Sequence, residues 1–295
     1  MSLFFCEKTL TDSCELKPDG SFKLEISNWN KSGFFDLGFK ELVFARNYFL
    51  QPDDELNLQF EGNEIPPTLN LSGRVGKYNL FLQIFNDTFY RNKAVKDVYY
   101  KSSNFLLAPD YATYINNRRL EEINFYKKYF SGQEIDSVFN YYFEKETNYN
   151  WANDKVYFLW KKRIRKEEVP IDSSYFDFLK IVKDDDPSAL ICPGYTRFIS
   201  LYIRELIQEE SINYANGITP SIEKCNLAKS KLKGIGLRIA IYNLIRDELF
   251  SVDAPLGNVQ HDSVIQSMVQ IGMSATNDSS FYYFARSKGK TINKK

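Results

Sequence analysis

The first quarter of the chain alternates polar and apolar side chains with a period of two. Ser21–Ser27 sets Phe22, Leu24 and Ile26 on one face, and Glu55–Glu61 does the same with Leu56, Leu58 and Phe60. A strand turns successive side chains to opposite faces, so both stretches read as half-buried strands. Glu41–Leu50 is another β-prone run, and Leu69–Ser72 is a short one closed by Gly73. Turn chemistry separates them at Asp19-Gly20, at Pro52-Asp53-Asp54 and at Pro66-Pro67. Several short strands at close spacing predict an antiparallel β-sandwich over residues 1–75.

Near residue 76 the period lengthens. Tyr78, Leu82 and Phe85, with Phe81 and Phe89 beside them, recur three or four apart and form the apolar stripe of a helix. Helical patterns follow over Ala112–Phe130, Ile135–Lys166, Tyr175–Val182, Gly194–Glu210, Ser221–Lys233 and Leu237–Phe250, with one more over Asp262–Ile271. Gly, Pro and Asp clusters such as Ser131-Gly132 and Asp184-Asp185-Asp186-Pro187 punctuate them. An α-helical domain is therefore expected over 76–273. Ser280–Phe284 reads as a strand, so 274–295 is taken as a linker and the start of a further domain. The fold class is α+β, a sandwich followed by a mostly helical domain.

Charge excludes more than it suggests. Lys and Arg total 38, matched by 38 Asp and Glu, so no overall field draws the chain to nucleic acid. The one dense basic run, Lys161–Lys166, lies beside Trp151, Tyr157 and Trp160. It sits at the end of a predicted helix and is followed by Glu167-Glu168, which suits a solvated helix terminus. No apolar run approaches the length of a membrane span, so no membrane insertion is expected. Met1–Cys6 carries neither the basic nor the apolar region of a secretion signal.

Candidate chemistry is sparse. Cys6, Cys14, Cys192 and Cys225 form no Cys-x-x-Cys pair; Cys6 and Cys14 could bridge a hairpin, and free thiols are the expected state of all four. His261 is the single histidine, which rules out metal sites built on two imidazoles. Asp184–Asp186 lacks the spacing of a calcium loop and reads as a turn with an N-cap before the next helix. Gly289-Lys290-Thr291 ends like a phosphate loop but has Phe284 where that loop needs its first glycine. No cofactor and no catalytic activity are expected from this chain.

Aromatic content is the outlying feature, with 20 Tyr and 24 Phe. The helical stretches between 111 and 160 hold more tyrosine than one buried stripe uses. A buried phenol needs a hydrogen-bond partner, so some should line a groove or subunit contact. Tyr126, Tyr129, Tyr141, Tyr142 and Tyr149 are the candidate partner-binding residues, for a protein client or for self-association. The opposing reading is that they roof the core with their hydroxyls in water.

Three segments in succession, Asp19–Leu24, Tyr48–Leu58 and Leu71–Asn79, follow the order of the D-G-x-F, L-x-P-G-D-x-L-x-I and F-x-G-x-G-x-x-N landmarks. In this the chain resembles the N-terminal regions of TlpA-like thioredoxin-fold proteins of Gram-negative bacteria. Asp53 stands where the family has glycine. Phe281–Ile292 looks like the first hairpin of the thioredoxin domain, but the Trp-Cys-x-x-Cys segment does not occur, so no catalytic residue is carried over. The resemblance implies a periplasmic or envelope location. It also implies a non-catalytic module that positions a thiol–disulfide oxidoreductase or offers it a client surface. The alternative is a freestanding protein whose Tyr-rich helical groove captures a peptide or glycan.

Overall fold

The computed structural model describes residues 13–15, 17–25, 32–39, 42–59, 70–210, 219–250 and 259–287. Strand β1 (Gly33–Phe39) pairs antiparallel with β2 (Leu42–Leu50), and β3 (Asn57–Gln59) pairs antiparallel with β4 (Asn70–Ser72). These two ladders are the whole strand content among the described residues. The expected α+β architecture with an N-terminal sandwich is therefore corrected to a mostly α-helical one.

The physical reason lies in what covers the apolar face. Period-two alternation says that one face is buried, not which element buries it. Phe49 of β2 is fully enclosed, its ring 5.4 Å from Phe139 and 5.9 Å from Tyr142, while Phe34 of β1 lies 4.5 Å from Tyr142. Phe139 and Tyr142 belong to a helix, so a helix takes the place of the second sheet. At Phe49 a side chain also takes the place of a neighbouring strand. Asn79 accepts from the Phe49 amide at 2.7 Å and donates to its carbonyl at 2.9 Å. The Asp19-Gly20 turn forms, with Ser21 donating twice to Asp19, but residues 21–25 beyond it are not in a strand. Ile26, Phe60 and the Pro66-Pro67 loop lie outside the described residues. At Pro52-Asp53-Asp54 the turn is present, and Asp53 takes the left-handed conformation, φ 61°, that the landmark glycine would favour.

Nine helices follow among the described residues: α1 (Gly76–Asn86), α2 (Lys93–Phe105), α3 (Ala108–Tyr129), α4 (Ser137–Ile164), α5 (Pro193–Glu209), α6 (Thr219–Lys231), α7 (Gly234–Leu249), α8 (Val259–Thr276) and α9 (Ser280–Ser287). A π-helical turn, Asp87–Arg91, and two 3-10 segments, Ser173–Lys180 and Pro187–Ile191, complete the list. None of the described helices is long and apolar enough to cross a membrane. The strand expected at Ser280–Phe284 is helix α9. Asp278 Oδ1 accepts from the Ser280 amide at 2.9 Å, an N-cap bond, and Phe281, Tyr282 and Ala285 bury one face with helical spacing.

The chain divides into two compact units. One gathers the described residues of Thr9–Asn104 and Glu121–Phe143, the other those of Phe105–Leu120 and Glu144–Lys295. The core of the first is aromatic: Phe81, with no exposed surface, has the rings of Phe125, Tyr126, Tyr129, Phe130, Phe139 and Phe143 within 6.2 Å. Such ring pairs add about 1 kcal/mol each beyond the area they bury. The second unit is held by α5, α7 and α8, through Phe198, Ile199, Ile203, Ile241, Ile245, Ile265 and Met268. Its Asp-rich turn was expected to cap the next helix, but Asp186 makes no side-chain cap bond to the 3-10 segment that follows, and Asp184 and Asp185 reach a later helix instead. Asp184 Oδ2 accepts from the Lys233 amide at 3.1 Å and Asp185 Oδ1 from the Ile235 amide at 3.0 Å, at the start of α7.

Candidate functional site

The five candidate tyrosines are divided between the two units. Tyr126, Tyr129, Tyr141 and Tyr142 fall in the first unit and Tyr149 in the second. Tyr126 is buried and stacked on Phe143 at 4.1 Å; its hydroxyl donates to Asn140 at 2.9 Å, and burial pushes the phenol up to about 12. Tyr142 is buried among Phe34, Phe49 and Phe139. Tyr149 is buried, donating to the Lys183 carbonyl at 3.0 Å and to Asp186 at 3.3 Å. Tyr129 and Tyr141 are half-buried, and Tyr129 meets Phe81 edge-on.

The other residues singled out by the sequence tie helices together. His261 opens α8 and lies 3.2 Å from Glu248 of α7. The basic run ends α4: Arg163 contacts Glu205 at 2.5 Å and Glu209 at 3.5 Å, and Lys162 contacts Glu167 at 2.5 Å. Cys192 and Cys225 are fully buried; burial pushes both thiols up, Cys225 to about 12. Cys14 is free and exposed, while Cys6 and Gly289-Lys290-Thr291 lie outside the described residues. Among the described residues no group of three or more His, Cys, Asp or Glu side chains could hold a metal.

One constellation in the second unit escaped the sequence reading. Three elements contribute residues three or four apart: Asn116 and Arg119 from α3; Asn148, Trp151 and Lys155 from α4; Tyr175 and Phe178 from the first 3-10 segment. The Arg119 guanidinium lies 4.5 Å from the Trp151 ring centre and the Lys155 ammonium 4.8 Å from it. Tyr175 and Phe178 stand 5.3 and 5.9 Å from the same ammonium. Trp151 donates its indole N–H to Asn116 at 2.8 Å. Arg119 donates through Nε and Nη2 to the single oxygen Asn148 Oδ1, at 2.9 and 2.5 Å.

Lys155 is 3% exposed, and its one hydrogen-bond acceptor is the Tyr175 carbonyl at 3.4 Å. Among the described residues neither cation reaches a carboxylate at ion-pair distance. Asp177 acts on Lys155 and Glu144 on Arg119 only from farther away, and Asp177 itself is paired with Lys180 at 2.7 Å. Desolvation lowers the pKa of Lys155; the charge of Asp177 raises it in part, and the like charge of Arg119 lowers it. Searches of protein-family models, of curated proteins and of solved structures find no match to this chain.

A second feature is apolar. The last turn of α2 and the connection after it read Phe105-Leu106-Leu107, and Phe105 and Leu107 are 77% and 65% exposed. The buried positions of α2 are instead the polar Ser103 and Asn104, which donate to the Tyr100 carbonyl at 3.1 and 2.6 Å. Polar groups inside and large apolar ones outside reverse the usual arrangement.

Proposed function

We propose that this chain is a non-catalytic protein-binding module that holds its partner through apolar side chains left in solvent by its helices. The observation that supports it is the reversed end of α2, where Phe105 and Leu107 stand in water. Covering apolar surface gains about 25 cal/mol per Å², so an exposed Phe and Leu one residue apart favour a second surface over solvent. The candidate tyrosines contribute less to this reading, because Tyr126, Tyr142 and Tyr149 are already spent in the two cores. A module accompanying a thioredoxin-like oxidoreductase would use the same kind of client surface. Its sandwich layout is not found among the described residues, so the binding role alone is carried forward.

The test compares the wild-type chain with the double variant Phe105→Ser, Leu107→Ser, both immobilised and challenged with the same extract. Both side chains are exposed, so the thermal midpoint should move by less than about 0.5 kcal/mol equivalent. A defined protein retained by the wild type and lost from the equally stable variant is the expected result. Equal retention by both, or a variant that loses stability, would overturn the reading.

A further inference from the structure

We propose that Arg119, Asn148 and Lys155, gathered around Trp151, form a binding site for a small oxyanion, the phosphate or carboxylate group of a low-molecular-weight ligand. This is independent of the apolar contact at Phe105 and Leu107 and uses different residues. The argument is a count of donors against acceptors. Arg119 spends two N–H groups on one oxygen of Asn148 and keeps three more. Lys155 has three N–H groups and one long contact, to the Tyr175 carbonyl. Among the described residues the Asn148 amide nitrogen has no hydrogen-bond acceptor, and the residue is 9% exposed. The cluster is therefore rich in unused donors and poor in acceptors, with two positive charges and no contacting carboxylate.

A buried cation is expensive unless it is paired. Cation–π contact with Trp151, Tyr175 and Phe178 offsets part of that cost for Lys155. It does nothing for the repulsion between Lys155 and Arg119. An oxyanion would relieve both and accept the unused N–H groups, with the planar guanidinium suited to two parallel bonds. Arg119 is half-buried and Asn116 exposed, which gives the cluster a solvent edge. The same side chains explain why the site is built on three elements: α3 brings the guanidinium, α4 the amide, indole and ammonium, and the 3-10 segment closes the aromatic wall.

The experiment titrates the whole chain with inorganic phosphate, and separately with acetate, at constant ionic strength, reading thermal midpoint and tryptophan emission. Wild type is expected to gain about 2 °C or more, saturably, with at least one of the two anions. Which anion acts identifies the ligand group. Lys155→Met keeps the length and apolar stem within the aromatic wall, and Arg119→Gln keeps a donor to Asn148; each should abolish the saturable gain. If neither anion acts on wild type, or if the gain survives in both variants, the proposal is wrong. A Lys155→Met chain that is less stable without anion, beside a wild type that does not respond, would assign the cluster to packing alone.

Discussion

Glu205 lies on the inner face of α5 with 3% of its surface in solvent. Its Oε1 accepts from Arg163 Nε at 2.5 Å, while Oε2 is buried without a hydrogen-bond partner. Burial raises its pKa to about 7; Arg163 pulls the other way and does not win, and Glu209 adds to the rise. An ordinary glutamate in the unfolded chain titrates near about 4.3. Below that value both states hold the proton and the group's contribution to folding is fully present. As pH climbs from there to about 7 the unfolded chain gives up its proton while the buried acid keeps it, so stability falls until the folded state ionises as well. Glu205→Gln stays neutral and still offers Arg163 an acceptor. Its stability should change less than wild type's between about pH 5 and 8, the two curves diverging by about 2 kcal/mol. Denaturant midpoints across that range check it, and parallel curves would show that Glu205 ionises freely in the fold. At this scale the sequence concealed the chemistry. Arg119, Asn148 and Lys155 are polar residues on long helices, a pattern that ordinarily marks the solvent face, and only the crossing of α3, α4 and the 3-10 segment turns them toward one indole.

Among the elements, the helices were the most legible. The switch in period near residue 76 coincides with the change from β4 to α1, and the stripe of Phe81, Leu82 and Phe85 is buried. The strands were legible one at a time, but their assembly was not, because alternation is blind to the partner. Helix α9 was misread for a related reason: a short apolar run such as Phe281–Phe284 fits either period, and the Asp278 cap settles it. Helix α2 went unrecognised because its end buries Ser103 and Asn104. Asn79 is where strand and helix meet, its side chain occupying both polar groups of Phe49. Asn79→Ala would leave a buried amide and carbonyl unpaired and should cost about 2 kcal/mol. Amide hydrogen exchange should then quicken at Phe49 while α7 keeps its protection. Unchanged exchange at Phe49 would mean that the strand is held without the asparagine.

For the molecule as a whole, most of the sparse chemistry in the sequence has been absorbed into structure. The aspartates cap α7, the basic run pairs with Glu205, Glu209 and Glu167, and the histidine leans on Glu248. The thiols of Cys192 and Cys225 are buried with raised pKa values, which suits packing and not exchange chemistry. Among the described large apolar side chains left facing water, Phe105 and Leu107 are the most exposed, and the donor-rich edge at Arg119 lies apart from them in character. If Phe105 and Leu107 contact a partner, Leu107 lies within reach of it. A photo-reactive amino acid placed at Leu107, with one at exposed Lys127 as the control, tests that contact in the cells that make the protein. One discrete cross-linked protein is expected from position 107, either a client or a second copy of the chain, and none from 127. The same faint background from both positions would contradict it.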